Sequence, residues 1–208
     1  VGAGNLLVVW CKHEGAATTH TVSDGTSTFT NGSVVAHANG DLHGLWAYLL
    51  VGNSGNLTYT WTLGATRPYR RLHIWEFSYT GTLSLDAQNT GSGNGTTPAS
   101  GAITTTGTDE VVLGSYGEYS ADVITSPLVN GVAADGSRIN SPLGSLAASW
   151  YKIETATFAG GTASCSLVIG ADWICNVIAL QAVAAGGDPE GSLLQGKLLR
   201  GGLLAGGV

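Results

Sequence analysis

Apolar and polar positions along the chain fall into short runs separated by turn residues. Asn5 to His13 (NLLVVWCKH) is almost continuously apolar. Thr18 to Asp24 (TTHTVSD) alternates and ends in Asp24-Gly25, a turn pair. His43 to Val51 is a second dense run, closed by Gly52-Asn53-Ser54-Gly55. Leu57 to Leu63 (LTYTWTL) alternates strictly, so Leu57, Tyr59, Trp61 and Leu63 share one face and three Thr the other; the apolar set is expected to point inward. Arg70 to Tyr79 and Asp109 to Tyr116 read as further strands, with a long polar loop, Asp86 to Gly101, between them. Residues 120–146 read as loop, punctuated by Pro127, Asn130-Gly131, Asp135-Gly136 and Pro142. Ala147 to Phe158, Thr162 to Ile169 and Trp173 to Ala182 complete the set. Helical spacing is almost absent. The pattern predicts an all-β chain: an antiparallel β-sandwich of jelly-roll or Ig-like type over residues 1–182.

The carboxy-terminal stretch obeys another rule. Gly recurs at 191, 196, 201 and 206, and Leu pairs follow at Leu193-Leu194, Leu198-Leu199 and Leu203-Leu204. A period of five matches neither a strand nor a helix. Leu pairs on a glycine-rich backbone cannot bury themselves, so this segment needs another copy, a neighbouring subunit or the body of its own domain. The expected organisation is a body (1–182), a linker (183–190) and an extended Gly/Leu-rich arm (191–208) that orders on docking.

Composition sharpens this picture. Hydrophobic residues make up 43%, ample for a core, but charged residues only 11%, so the surface must be built from Gly, Ser, Thr and Asn. That balance favours an extracellular or virion-like β-protein. The net charge of −6, with Arg67, Arg70 and Arg71 as a weak basic spot and Arg138 apart from it, gives no field for nucleic acid. No run reaches the roughly 18 apolar residues of a membrane-spanning helix. With Val at position 1 and no Met, a longer chain ahead of Val1 is expected.

Candidate chemistry is sparse. The three Cys show no C-x-x-C. A hairpin centred on Gly170 would set Cys165 opposite Cys175, close enough for a disulfide; two buried free thiols are the alternative. His13-Glu14 opens like a zincin motif, but Ala17 stands where the second His belongs. His37, Asp41 and His43 could converge on a metal, and Asp24 and Asp86 on calcium, but local turn and backbone bonding is the ordinary explanation for such residues. No metal or cofactor is therefore expected. Glu76 alternates onto the face of Leu72 and Ile74, where it needs a partner such as Arg70, Arg71 or backbone N–H groups. Glu110, Glu118 and Asp122 offer no credible second acid for a glycosidase. No nucleophile elbow or phosphate loop occurs. Among the aromatics, Trp46, Tyr48, Trp61, Trp75, Trp150 and Tyr151 fall in strands and are expected in the core. Tyr116 and Tyr119 sit in a Gly/Ser-containing stretch and are the aromatics most open to a ligand.

The order of segments resembles a β-sandwich module of phage virion and bacterial extracellular proteins. The resemblance is carried by Ser23-Asp24-Gly25, the strand ending Glu76-Phe77-Ser78-Tyr79-Thr80-Gly81, Leu85-Asp86, Glu110-Val111-Val112-Leu113-Gly114 and a final strand opening at Trp173. The Leu-Leu-Gly tail is similar to tails of phage structural proteins. The resemblance implies a structural, non-enzymatic role at a virion or extracellular surface, such as a capsid decoration or tail-appendage protein. Its arm would dock on other assembly subunits, giving a homo-oligomer. The alternative is an extracellular carbohydrate-binding or adhesion module.

Overall fold

A computed structural model describes residues 5–50, 55, 57–79, 81–119, 123–140, 145–183 and 195–198. The first large sheet contains β1 (Leu6–Glu14), β3 (Thr30–Ala36), β4 (Leu42–Leu49) and β6 (Arg71–Ser78). The second contains β7 (Thr82–Gly95), β9 (Glu110–Glu118), β12 (Gly136–Asn140), β13 (Leu146–Glu154) and β16 (Ala171–Val183). Smaller sheets are formed by β2 (His20–Ser23) with β5 (Thr60–Leu63), by β8 (Ile103–Thr104) with β14 (Ala159–Gly161), and by β10 (Ile124–Val129) with β11 (Val132–Ala133) and β15 (Ala163–Leu167). A last strand, β17 (Gln195–Leu198), pairs with β6, so the first sheet runs β17-β6-β1-β4-β3 and the second β12-β13-β9-β16-β7. All of the strand pairs described are antiparallel. The chain is all-β, as its pattern predicts.

Three apolar clusters separate four layers. The central one joins Leu6, Val8, Trp10, Trp46, Trp75 and Phe77 of the first large sheet to Val111, Leu113, Ile174 and Ile178 of the second. On the outer face of the second sheet, Tyr116, Trp150, Cys175 and Val177 pack against Ile124, Val129 and Cys165. On the outer face of the first, Leu7, Val9, Cys11, Leu45 and Ile74 pack beneath Val22 and Trp61 of the β2–β5 sheet and Tyr59 just before β5. Strands β1 and β9 are therefore covered on both faces, and every one of their residues is buried. This is why Asn5–His13 reads as a continuous apolar run: an antiparallel strand alternates only where one face meets water. The strict alternation of Leu57–Leu63 is the single-faced case. Tyr59, Trp61 and Leu63 are half-buried, and the intervening Thr are exposed.

Several large rings lie on bare backbone. Trp150 stands directly opposite Gly114, Trp173 opposite Gly93 and Tyr151 opposite Gly136. A Cβ at these glycines would approach the rings to 2.4, 2.8 and 2.6 Å respectively, well inside contact distance.

The pattern misreads two places and passes over a third. Asp86 to Gly101 is not a loop: most of it belongs to β7, which pairs with β16 along thirteen register positions. The 120–146 region holds β10, β11 and β12. Pro127 is tolerated in β10 because it lies at a bulge between Thr125 and Leu128, beside Ser126 at φ +51°. Thr30–Ala36 is a strand (β3) with mostly exposed side chains, and so leaves little hydrophobic trace. The Asn130-Gly131 turn does form, with φ of +50° and +74°, between β10 and β11.

Candidate functional site

The Glu14 end of β1 gathers most of the polar side chains that could act together. The 37–41 turn, the end of β7, Tyr119 just beyond β9 and the turn entering β16 meet there. Asp172 lies opposite Asn94 in the β7–β16 ladder and accepts hydrogen bonds from Asn94 Nδ2 (2.7 Å) and Asn39 Nδ2 (3.3 Å), with His37 Nε2 at 3.8 Å. The two amide donors hold its carboxyl below the usual range. Tyr119 donates to Asp41 Oδ1; burial, then that carboxylate, pushes its phenol well up. Asn94, Tyr119, Gly170, Ala171 and Asp172 line an open depression of about 360 Å³.

Beneath this rim lies a buried ion pair. Lys12 is fully buried and donates to Glu14 Oε1 (2.7 Å) and Ser145 Oγ (2.5 Å). Burial lowers its ammonium to about 8, with Glu14 opposing the shift. A Ser–Lys pair can serve acyl transfer, but both side chains here are fully buried, and Lys12 is bound to the Glu14 carboxylate.

His13 points the opposite way from β1, into the seam below β2 and β5. It is the cross-strand partner of His43; the two rings are nearly parallel, with centroids 5.2 Å apart. His20 of β2 lies 5.1 Å from His13 and stacks on Trp61 at 5.8 Å. All three imidazoles are buried. His13 Nδ1 meets the Glu14 carbonyl (3.0 Å) and His43 Nδ1 the Gly15 carbonyl (3.1 Å). A carbonyl only accepts, so each Nδ1 carries the proton and each Nε2 is a bare lone pair. His13 Nε2 and both nitrogens of His20 have no hydrogen-bond partner. Burial lowers all three imidazoles, His20 to about 4.

Other residues singled out from the sequence behave differently. Tyr116 is a correction: it is fully buried in the outer core and donates to Glu118 Oε2 (2.7 Å), because β9 is covered on both faces and leaves neither open to a ligand. Tyr119 does reach the depression. Cys165 and Cys175 are free and buried, not bridged. The hairpin about Gly170 does not form, since β15 pairs with β10 while β16 pairs with β7 and β9 in a different sheet. Burial pushes the Cys165 thiol up to about 12 and raises that of Cys175. His37, Asp41 and His43 go to separate partners, and among the described residues no three His, Cys, Asp or Glu side chains are set to hold a metal ion. Asp24 Oδ1 accepts from Thr26 N and Ser27 N, an Asx turn. Asp86 accepts from the backbone N–H and hydroxyl of Thr106. Glu76 is buried and accepts from Asn5 Nδ2 (2.7 Å); Asn5 was not among its expected partners. Trp46, Tyr48, Trp75 and Trp150 are core residues, and Trp61 and Tyr151 are half-buried. Leu193, Leu194, Leu199, Leu203 and Leu204 lie outside the described residues, and Leu198 is described only by its backbone pairing with Trp75.

Sequence reasoning missed Asn39, Asn94 and Asp172 at the rim and the meeting of His13, His20 and His43. The faces of His13 and His20 follow from alternation with Cys11 and Val22. The pairing of β1 with β4, which brings in His43, has no local signal.

No family model, curated protein or solved structure matches this chain.

Proposed function

We propose that the chain is a non-enzymatic structural module of a virion-like or other extracellular assembly, a β-sandwich of jelly-roll or Ig-like type. In this reading the carboxy-terminal repeat joins it to neighbouring subunits. The observation that supports this best is the pairing of Gln195–Leu198 with the outer edge of β6, at Ser78, Phe77, Glu76 and Trp75. A segment that adds a strand to an edge of its own body can add the same strand to the edge of a second copy, with the same backbone hydrogen bonds. The low charge of the chain and its Gly/Ser/Thr/Asn-built surface support a place outside the cell. Light scattering after size exclusion on residues 1–208 beside residues 1–183 tests the reading. Defined multimers are expected for the longer chain alone. Replacing Leu193, Leu194, Leu198 and Leu199 with Ser should dissolve them and leave the body folded. Monomers in both cases would refute the assembly role.

A second reading is favoured by the depression at Tyr119: a carbohydrate-binding module. An aromatic ring beside an amide and a carboxylate suits stacking on a sugar together with hydrogen bonding to its hydroxyls. Glycan binding by residues 1–183 that is lost in Tyr119→Ala and Asp172→Ala would support it. A glycan screen in which those variants bind as the parent does would remove it.

A further inference from the structure

We propose that His13, His20 and His43 form an acid-operated latch that holds the β2–β5 sheet on the first large sheet. The argument begins with what each ring touches. His13 is the hub, 5.1 Å from His20 and 5.2 Å from His43, and Trp61 closes the stack 5.8 Å beyond His20 and 6.1 Å from His13. Two of the three rings belong to the large sheet (β1 and β4), and the third to β2. The cluster therefore straddles the seam between the layers.

Neutral imidazoles can stack in such a seam, but among the described residues the only charged group that favours a proton on any of the three rings is Asp41, beside His43. The charged groups acting on His13 are His43, Arg67 and Lys12, and every one opposes a proton. Those acting on His20 are His13 and His43, again opposing. His43 feels Arg67 against protonation and Asp41 in favour, and Asp41 is already engaged by the Tyr119 hydroxyl. From β5 the facing group is Trp61, which carries no charge. A proton entering the cluster thus sits in an apolar seam among other imidazoles and cations. The way to relieve it is to let water in by lifting β2 and β5. Near-parallel rings on His13 and His43 do not direct their lone pairs to a common point, so a bound cation is not the alternative.

The lifted piece is the smallest sheet unit on that side. Strands β2 and β5 have four residues each; Val22 and Trp61 from them, with Phe29 and Tyr59 from the flanking chain, pack against Leu7, Val9, Cys11 and Leu45. It should therefore part before the central core. The sign follows from linkage. The open form binds protons that the closed form refuses, so closure is complete above the ordinary imidazole range near 6.5 and is lost as pH falls from there toward about 4. Each proton that the open form takes up and the closed form refuses makes the open population rise by at most about tenfold per pH unit, so two taken up together give at most about 100-fold.

The test is 19F NMR of the full chain labelled with 5-fluorotryptophan, with the Trp61 signal assigned through Trp61→Phe. Between pH 7 and 4 the Trp61 resonance is expected to move to a water-exposed position while Trp150, in the opposite outer core, holds its place. The step should vanish in His20→Phe, which fills the seam with a ring that cannot be charged. If His20→Phe does not fold, His43→Gln, which cannot be protonated, should flatten the step instead. The latch is overturned if Trp61 and Trp150 shift together in one acid transition, if Trp61 stays fixed until the whole chain unfolds, or if the step persists in the folded variant.

Discussion

Lys12 and His13 are consecutive residues on β1, both fully buried, yet they meet opposite fates. Lys12 enters the central core and finds a carboxylate and a hydroxyl. His13 enters the outer seam and finds two more imidazoles, with one of its nitrogens left without a partner. Depth alone therefore does not decide what burying a titratable group costs; the groups waiting on that face do. The paired group stiffens its layer. The unpaired cluster leaves its layer dependent on pH.

The largest effect expected is on the layers themselves. Trp10→Ala, in the central core, should lower stability by about 3–5 kcal/mol, whereas Trp61→Ala, half-exposed in the seam, should cost only about 1–2 kcal/mol. Chemical denaturation of both variants checks this, and equal losses would erase the contrast between core and seam. Next comes the ion pair. Glu14→Leu leaves the Lys12 ammonium in the core without its carboxylate and should cost about 3 kcal/mol. Lys12→Met in the same background should recover much of it by removing the orphaned charge.

A third contrast sets the seam against Glu110. Burial, reinforced by Asp86 beside it, raises the Glu110 carboxyl to about 8. The folded chain then keeps a proton that the unfolded chain releases above about 4.5, so this group makes stability fall as pH rises from there to about 8. The imidazole cluster has the opposite slope, between about 4 and 6.5. Glu110→Gln should remove that fall: above about 6.5 the profile should level off, and between about 4.5 and 6.5, where the two windows overlap, it should rise more steeply, as read from denaturation midpoints across pH. The smallest effect concerns the thiols. Cys165 and Cys175 are free, so a reductant should not move the melting temperature, and thiol reagents should label these residues only after unfolding.

How much of this was legible follows from how each strand is covered. Strands dense in apolar residues, such as β1, β4 and β9, announced themselves, and so did the single-faced Leu57–Leu63. The layering did not: a run buried on both faces looks the same whether its covers are large sheets or small ones. Strand β7 escaped because QNTGSGNG carries no apolar side chain; its backbone pairing with β16 holds it, and Gln88 ties it to β3 by accepting from Ser33 N. Tyr116 was misjudged because the surrounding Gly and Ser, read as turn-formers, are small residues inside β9, where Gly114 makes room for Trp150. Of the two readings of Cys165 and Cys175 the free thiols hold, and the disulfide fails because arithmetic about Gly170 assumes that β15 and β16 share a sheet. The rim at Tyr119 joins residues more than a hundred positions apart, and no spacing rule reaches that far.

The rings seated on opposing glycines have a mechanical consequence. Trp150 over Gly114, Trp173 over Gly93 and Tyr151 over Gly136 work like pegs in notches along the second large sheet. Sliding one strand along its neighbour would drive a ring against the next side chain. A load applied along the strands would therefore have to shear several ladder bonds and unseat a ring at once. Pulled along that direction, the second sheet should yield at a higher force than the β2–β5 sheet, whose shared ladder is only four residues long.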